Sequence, residues 1–217
     1  MKSLILSSIL VTLMFFMNGC NDKYNPKEGD LLFQNLDCGP LCESIENVEE
    51  GINGSKISHV GILIKGTDNN WYVAEALDKV KLTPLNEFLY RSKDANGNPK
   101  VIVGRIKDKY SNYTSGFKNR LQALYNKPYD DEFKIGNNKF YCCELVYEVF
   151  QNKEGKHLFD LKPMTFKNMH TGKIDSVWIN YFKKLAIPVP EGKLGCNPAN
   201  YSKSDKIKII YSYGKMN

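Results

Sequence analysis

Arginine is scarce in this chain, since only Arg91, Arg105 and Arg120 are arginines among its 30 basic residues. No basic run is interleaved with aromatic residues, as a nucleic-acid surface usually requires. The formal net charge is only +6, and the scattered lysines are typical of a solvated face. We therefore exclude nucleic acid as a partner.

The N-terminal apolar run is too short to span a membrane comfortably. Leu4 to Met17 is almost continuously apolar and follows Lys2, which is the pattern of a secretory signal. The run leads into Asn18-Gly19-Cys20, which resembles a bacterial lipobox, where the cysteine receives a diacylglyceryl group. We expect a lipoprotein-type signal peptide over residues 1–19 and lipidation of Cys20. The alternative is a conventional cleaved signal beside a chance cysteine.

Internal repeats and low-complexity blocks are also absent, and 217 residues suit one domain. Residues 20–28 are polar and contain Pro26, so we expect a short tether before a domain over residues 29–217. Cys20 would attach this domain to a bacterial membrane. The expected location is the cell envelope, on the periplasmic or the outer surface.

The remaining cysteines lack the spacing of a zinc site, which also needs a fourth ligand. We therefore expect no metal, and the chemistry inferred below requires no organic cofactor. In an exported protein disulfides are permitted. Cys38 and Cys42 would close a small loop, or either would pair with Cys196.

Antiparallel strands come first and separate helices are arranged around them, which indicates an α+β fold. Apolar and β-branched segments predict strands at residues 31–33, 57–64, 71–77, 101–106 and 207–213. Helices are predicted at residues 42–51, 84–90, 113–125, 142–150 and 174–185, and a loop at residues 188–204.

Two adjacent cysteines begin the fourth predicted helix. Cys142 shares a helix face with Val146 and Val149, so its thiol points toward the body of the protein. Free N–H groups and the positive end of the helix dipole favour a thiolate there. Cys142 is thus the candidate nucleophile, and its own N–H is a candidate oxyanion donor. Cys143 points elsewhere, and we interpret it as a packing residue or a redox bystander.

The predicted hairpin supplies a base and an acid. If Ile64 pairs with Asn70, His59 lies directly opposite Glu75 on one face of the sheet. Glu75 would then hold the imidazole in one tautomer and support its protonated form. Gly61 lies on the same face and would let a helix end approach the sheet.

Five segments carry a specific family resemblance. They are Gly29-Asp30-Leu31-Leu32-Phe33, Ser58-His59-Val60-Gly61-Ile62, Val73-Ala74-Glu75-Ala76, Lys127-Pro128-Tyr129-Asp130 and Tyr141 to Val146. Taken together, these segments resemble the circularly permuted branch of the NlpC-type papain-like hydrolases. Within it they resemble the YiiX/YebB-like group, related to lecithin retinol acyltransferase, and the Pro-rich loop with Cys196 is similar to Bacteroides-type members.

The resemblance implies a permuted papain-like fold, in which an antiparallel sheet or barrel packs against the nucleophile helix. It places the nucleophile at Cys142, the base at His59 and the third polar residue at Glu75. Cys143 stands where many relatives have serine. Tyr129, Asp130 and Tyr141 precede the nucleophile helix, and we interpret them as candidate substrate contacts. A plain turn after Pro128 is the alternative for Tyr129-Asp130.

We expect a cysteine hydrolase that cleaves an amide or ester bond through an acyl-enzyme. By family resemblance, the substrate is a cell-wall peptide or a lipid-linked acyl group. Two other functions stay open, because the fold alone does not decide them. One is a lipid- or peptide-binding lipoprotein without turnover, and the other is an acyltransferase.

Overall fold

An open antiparallel sheet of six strands forms the centre of the computed structural model, which describes residues 24–216. Its strands follow the order β4-β3-β2-β1-β5-β8, and a separate ribbon pairs β6 with β7. The predicted signal and Cys20 lie outside the described residues. The strands are β1 (Leu31–Gln34), β2 (His59–Lys65), β3 (Trp71–Ala76), β4 (Val80–Pro84), β5 (Val101–Ile106), β6 (Lys162–Pro163), β7 (Leu194–Gly195) and β8 (Ile207–Ser212).

The helices confirm the α+β class. They are α1 (Pro40–Glu46), α2 (Leu85–Tyr90), α3 (Phe117–Leu124), α4 (Cys142–Val149), α5 (Ser176–Lys184) and α6 (Pro198–Ser202). Helix α3 is shorter than predicted, because a 3₁₀ turn occupies Asp108–Tyr113 and Gly116, at φ 71°, separates it from the helix. The predicted loop 188–204 contains β7 and α6.

The sheet separates two apolar cores. On one face, Val60 and Ile62 pack in one cluster with Leu145 and Val149 of helix α4. All four are fully buried, and burial of each such side chain contributes roughly 2 kcal/mol. This packing holds the nucleophile helix against β2. The other face carries a smaller cluster that includes Leu32, Leu63, Val73, Phe88 and Val103.

A buried ion pair fixes the start of the domain. Asp30 is 1% exposed and accepts hydrogen bonds from Arg105 Nε at 2.6 Å and from Tyr24 Oη at 2.8 Å. Glu28 accepts a bond from the Lys65 N–H at 3.0 Å. Residues 24–28 therefore lie on the domain surface, and the predicted tether 20–28 loses its last five residues to the fold.

No helix within residues 24–216 has both the length and the apolar composition needed to cross a bilayer.

The β2–β3 hairpin differs from its predicted register. Lys65 pairs with Trp71 and Ile62 with Ala74, so continuing the ladder puts Glu75 opposite Gly61, not opposite His59. The turn comprises residues 66–70, because Gly66 N–H bonds Asn70 O at 2.8 Å and Asn69 adopts φ 66°. The pairing shifts by two positions in total. His59 and Glu75 therefore stay on one face and meet diagonally.

Gly61 makes room for a different helix from the one expected. A Cβ at Gly61 would lie 2.3 Å from Val73 Cγ1 and 3.4 Å from Phe88 Cε2. The crowding therefore comes from β3 and helix α2. Helix α4 packs on the opposite face, so the expectation that the nucleophile helix approaches at Gly61 is wrong.

Candidate active site

A cavity of about 320 Å³ contains the side chains of Cys142 and His59 in its wall. Apolar and aromatic side chains make up most of the remaining wall, with residues from α1, α5 and the β6–β7 region. They include Leu36, Leu41, Ile45, Val48, Phe133, Met164, Phe166, Trp178 and Tyr181. The site is thus a largely apolar chamber with a thiol and an imidazole on one side.

Cys142 is the first residue of helix α4. The preceding residue, Tyr141, is extended at φ −94° and ψ 171° and gives no side-chain cap to the helix. The N–H groups of the first turn, beside the Cys142 sulfur, therefore have no side-chain cap. Cys142 as a whole residue is 7% exposed. The backbone N–H of Val60, at the start of β2, also interacts with this sulfur.

His59 is the first residue of β2, a strand that lies inside the sheet between β1 and β3, and it is 4% exposed. Its Nε2 lies 2.7 Å from Glu75 Oε2, which leaves Nδ1 for the Cys142 sulfur. The ring interacts directly with that sulfur. The structure thus brings together the three residues predicted as catalytic.

Glu75 is fully buried and is held by more partners than His59. Its Oε1 accepts bonds from Thr83 Oγ1 at 2.6 Å and from Arg91 Nη1 at 2.9 Å, and its Oε2 accepts from Arg91 Nη2 at 2.7 Å. The Arg91 guanidinium lies 4.4 Å from the centroid of the Phe88 ring and also donates to Gln34. Glu75 is therefore fixed on three sides.

Arg91, Thr83 and Gln34 were missed by the sequence reasoning. Arg91 follows helix α2 directly. Nothing in the sequence around it indicates that its partner is Glu75, which is 16 residues away. The only available signal was the scarcity of arginine itself. A bidentate guanidinium is the donor that best fixes a buried carboxylate.

These contacts favour a thiolate–imidazolium pair. Burial alone would lower the pKa of His59, but its hydrogen bonds to Cys142 and Glu75 outweigh burial and raise that pKa to about 9. The Glu75 carboxyl is buried too, yet His59 and Arg91 keep its pKa below the usual range. The ring therefore remains protonated at neutral pH.

Cys143 contributes to the ionisation of its neighbour. A hydrogen bond from the Cys143 thiol, followed by the interaction with His59, holds the pKa of Cys142 well below its usual value in spite of burial. Burial and the flanking sulfurs of Cys142 and Cys196 raise the pKa of Cys143 itself. Cys142 is thus the ionised thiol, and Cys143 remains a neutral donor.

Tyr129 and Tyr141 line the cavity, and their contact with a substrate stays a prediction. The Tyr141 hydroxyl accepts a bond from the Cys196 N–H at 3.0 Å, and its ring packs 5.2 Å from the ring of Phe133. Burial and the Cys142 charge raise the pKa of Tyr129, so its phenol stays protonated.

Asp130 lies elsewhere, contrary to the expectation of substrate contact. It is 0% exposed and accepts bonds from the N–H groups of Glu132 at 3.1 Å and Lys134 at 2.6 Å. Glu144 of helix α4 accepts a hydrogen bond from the Gly136 N–H at 3.1 Å in the same loop. Burial raises the pKa of the Glu144 carboxyl to about 8. Asp130 and Glu144 therefore shape the loop that carries Phe133 into the cavity wall.

The cysteine pairing selects one of the expected alternatives. Cys38 and Cys42 form a disulfide with a Cα–Cα distance of 5.4 Å, and both residues line the cavity beside Leu41. Cys142, Cys143 and Cys196 are thiols. The disulfide therefore fixes the segment that leads into α1 as part of the cavity wall.

Comparison with known proteins gives two sequence similarities to one family. Residues 25–211 match the family model described as permuted papain-like amidase enzyme, YaeF/YiiX, C92 family. The chain is 27% identical over 153 residues to the uncharacterized protein YiiX of Escherichia coli (strain K12), which covers 70% of this chain and 68% of that protein.

The fold is similar to the crystal structure of YiiX from Escherichia coli O157:H7, there described as a metalloprotein. The TM-score is 0.69 at 20% sequence identity, with 87% of this chain and 98% of that chain covered. Residues 24–216 of this chain assemble no group of three or more His, Cys, Asp or Glu side chains that would hold a metal ion. The side chains of the described residues therefore do not fit a metal centre.

The ionised Cys142 makes a direct prediction for alkylation by iodoacetamide. We expect the rate at pH 6 to be within about twofold of the rate at pH 8, whereas a free thiol with a pKa near 8.5 slows more than tenfold. Cys143→Ala removes the neighbouring donor, so it should slow the pH 6 reaction with little change at pH 8. Peptide mass mapping would assign the alkylated residue.

Cys143→Ser is the matched control, because its hydroxyl keeps the hydrogen bond. A pH profile of Cys143→Ala identical to that of the unmodified chain would remove Cys143 from this role.

Proposed function

The chain belongs to the permuted papain-like amidase family that includes YaeF and YiiX, and from this membership we propose that Cys142, His59 and Glu75 form its catalytic triad. Membership makes the protein a cysteine hydrolase of the amidase type. The observation that carries the residue assignment is the buried contact series from the Cys142 sulfur through the His59 ring to Glu75 Oε2.

Acylation begins from the ion pair. The Cys142 thiolate attacks the substrate carbonyl carbon, and the carbonyl electrons move onto oxygen to give a tetrahedral intermediate. The protonated Nδ1 of His59 then delivers its proton to the amine nitrogen. The C–N bond breaks, the amine leaves, and a thioester joins the acyl group to Cys142.

Deacylation returns the site to its starting state. Neutral His59 removes a proton from water, and the resulting hydroxide attacks the thioester carbonyl. The carboxylic acid leaves, the Cys142 thiolate re-forms, and His59 is again protonated. Glu75 stays ionised throughout, because Arg91 and Thr83 hold it, and it supports each protonated state of the ring.

We assign two donors to the oxyanion of the tetrahedral intermediate. The backbone N–H of Cys142 lies in the first turn of α4, where no helix carbonyl accepts it. The Tyr129 hydroxyl is a protonated donor near Cys142 in the cavity wall. We assign Tyr129 as the second donor, which deepens its predicted role as a substrate contact.

The chamber favours an apolar acyl group over a cell-wall peptide. Cell-wall peptides carry charged groups at close intervals, and each needs a polar partner once it is removed from water. The wall here is instead dominated by aliphatic and aromatic side chains such as Leu41, Phe166 and Trp178. The proposed substrate is therefore an amide whose acyl side is a long apolar chain.

We place the enzyme in the cell envelope, attached through a lipidated Cys20. This proposal rests on the signal-like pattern of residues 1–19. The Cys38–Cys42 disulfide supports it, because such bonds persist in oxidising compartments outside the cytosol.

The function is tested by incubating the protein and its Cys142→Ala variant with fatty-acyl amino acid amides and with cell-wall peptides. We expect the protein to release free fatty acid and amine, and the variant to lose at least 1000-fold in rate. Intact-mass analysis should detect the acyl adduct on Cys142, while Cys196→Ala serves as the control thiol variant.

Three other outcomes would contradict this assignment. Equal rates for the protein and Cys142→Ala would remove the nucleophile. Faster transfer to added amines or alcohols than to water would identify an acyltransferase. Binding of acyl amides without product or adduct would identify a binding protein.

The rate should follow the titration of His59. The protonated ring donates to the leaving amine, so kcat/KM should fall as pH rises through about 9. On the acid side the Cys142 pKa is lowered, so the rate should remain flat through pH 6. Circular dichroism at each pH would separate loss of fold from loss of rate, and a profile still rising at pH 10 would contradict the ion pair.

Tyr129→Phe tests the second oxyanion donor. Loss of one such donor should lower kcat about 100-fold, because the bond forms only as charge develops on the carbonyl oxygen. KM should change little. The alkylation profile of Cys142 in this variant serves as the control for an intact ion pair, and an unchanged kcat would exclude the assignment.

A further inference from the structure

Five aromatic side chains lie on the face of the sheet that carries the smaller core, here called its outer face, or on helix α2 beside it, and none of them is fully buried. We call this surface the aromatic face. Its members are Tyr24, Trp71, Tyr90, Tyr211 and Tyr213. Tyr90 is 52% exposed, and the other four are partly exposed against the smaller core cluster.

Three of these rings form a continuous group. The Tyr24 ring lies 5.5 Å from the Tyr211 ring and 6.0 Å from the Tyr213 ring, and the last two are 4.9 Å apart. Trp71 stands on β3 of the same sheet face, as the pairing of Val73 with Leu63 requires.

Lysines accompany these rings. Lys65 Nζ lies 5.9 Å from the centroid of the Trp71 ring, and Lys93 Nζ lies 5.4 Å from that of Tyr90. Both lysines are exposed. Surfaces that proteins present to the lipid headgroup layer of a bilayer are rich in tyrosine and tryptophan beside lysine. Both an amphipathic ring and a cation are stable in that layer.

The chain reaches the described domain on this same face. Tyr24 stacks on Tyr211, and Cys20 precedes it by four residues, which span at most about 14 Å when extended. A lipid on Cys20 would therefore hold the face within reach of the bilayer surface. Because the tether is so short, the anchor leaves the domain little freedom to present another side.

We propose that the aromatic face is a membrane-docking surface, on which Trp71 and the tyrosines enter the headgroup layer and Lys65 and Lys93 contact anionic lipid phosphates. The proposal rests on the lipid anchor inferred for Cys20 and extends it from a tether to a fixed orientation. The cavity wall belongs to the larger core on the other side of the sheet. A docked domain therefore keeps its cavity turned away from the bilayer that holds it.

The chain offers an optical test, because it has only two tryptophans. Trp178 is 2% exposed in the cavity wall, whereas Trp71 belongs to the aromatic face. The full chain, purified from bacterial membranes, is reconstituted on vesicles of phosphatidylethanolamine and phosphatidylglycerol that contain phosphatidylcholine with brominated acyl chains. Trp178→Phe leaves Trp71 as the reporter, and Trp71→Phe leaves Trp178.

We expect brominated lipid to quench the Trp71 emission at least twofold and to leave the Trp178 emission unchanged. Lys65→Glu with Lys93→Glu should remove the quenching, while flotation with the vesicles persists through the anchor. Lys184→Glu on helix α5 is the control for a change of charge at an exposed lysine outside this face.

Unquenched Trp71 in protein that floats with the vesicles would overturn the docking surface and leave the anchor in place. Such a result would favour a protein partner for the face. Protein that fails to float would overturn the anchor and the docking surface together. Neither readout depends on turnover, so failure of the proposed amidase activity is distinguished by the substrate assay above.

Discussion

The contact between His59 and Glu75 is the interaction on which the rest of the site depends. A buried imidazole is ordinarily neutral, because burial penalises its charged form. Here hydrogen bonds to the Cys142 sulfur and to the Glu75 carboxylate outweigh burial and raise the pKa of His59, and the charged ring in turn favours the Cys142 thiolate. The ionisation of Cys142 therefore depends partly on Glu75, which contacts the ring at Nε2.

Glu75 is able to fill this role only because other side chains hold it. A buried carboxylate with one partner is costly, whereas Arg91 and Thr83 satisfy its remaining lone pairs. Arg91 is also kept in place by Gln34 and by the ring of Phe88. The orientation of the His59 ring therefore depends, through Glu75, on Thr83 and Arg91. Arg91 depends in turn on Gln34 and on Phe88 of helix α2.

The sequence predicted that Cys142, His59 and Glu75 come together, but it did not predict their surroundings. Cys142 was readable from its position at a helix start, and His59 and Glu75 from strand alternation, which survives a register shift of two. The exact register was not readable, because it depends on whether Lys65 or Asn70 belongs to the five-residue turn. The role of Arg91 depends on contacts with Glu75 and Gln34, which lie 16 and 57 residues away in the chain, and residue spacing carries no information about them. Asp130 instead accepts bonds from N–H groups two and four residues later, as in the plain turn that was the alternative for Tyr129-Asp130.

The pairing of the cysteines has a further consequence for oxidative inactivation of the protein. One chain keeps Cys38 and Cys42 oxidised while a reactive sulfur persists a short distance away in the same chamber. Adjacent residues on a helix hold their Cα atoms about 3.8 Å apart, which is closer than a disulfide ordinarily allows, so Cys142 and Cys143 resist forming a disulfide with each other. The backbone spacing thereby protects Cys142 from this one route of oxidative inactivation, and no reducing partner is needed to prevent it.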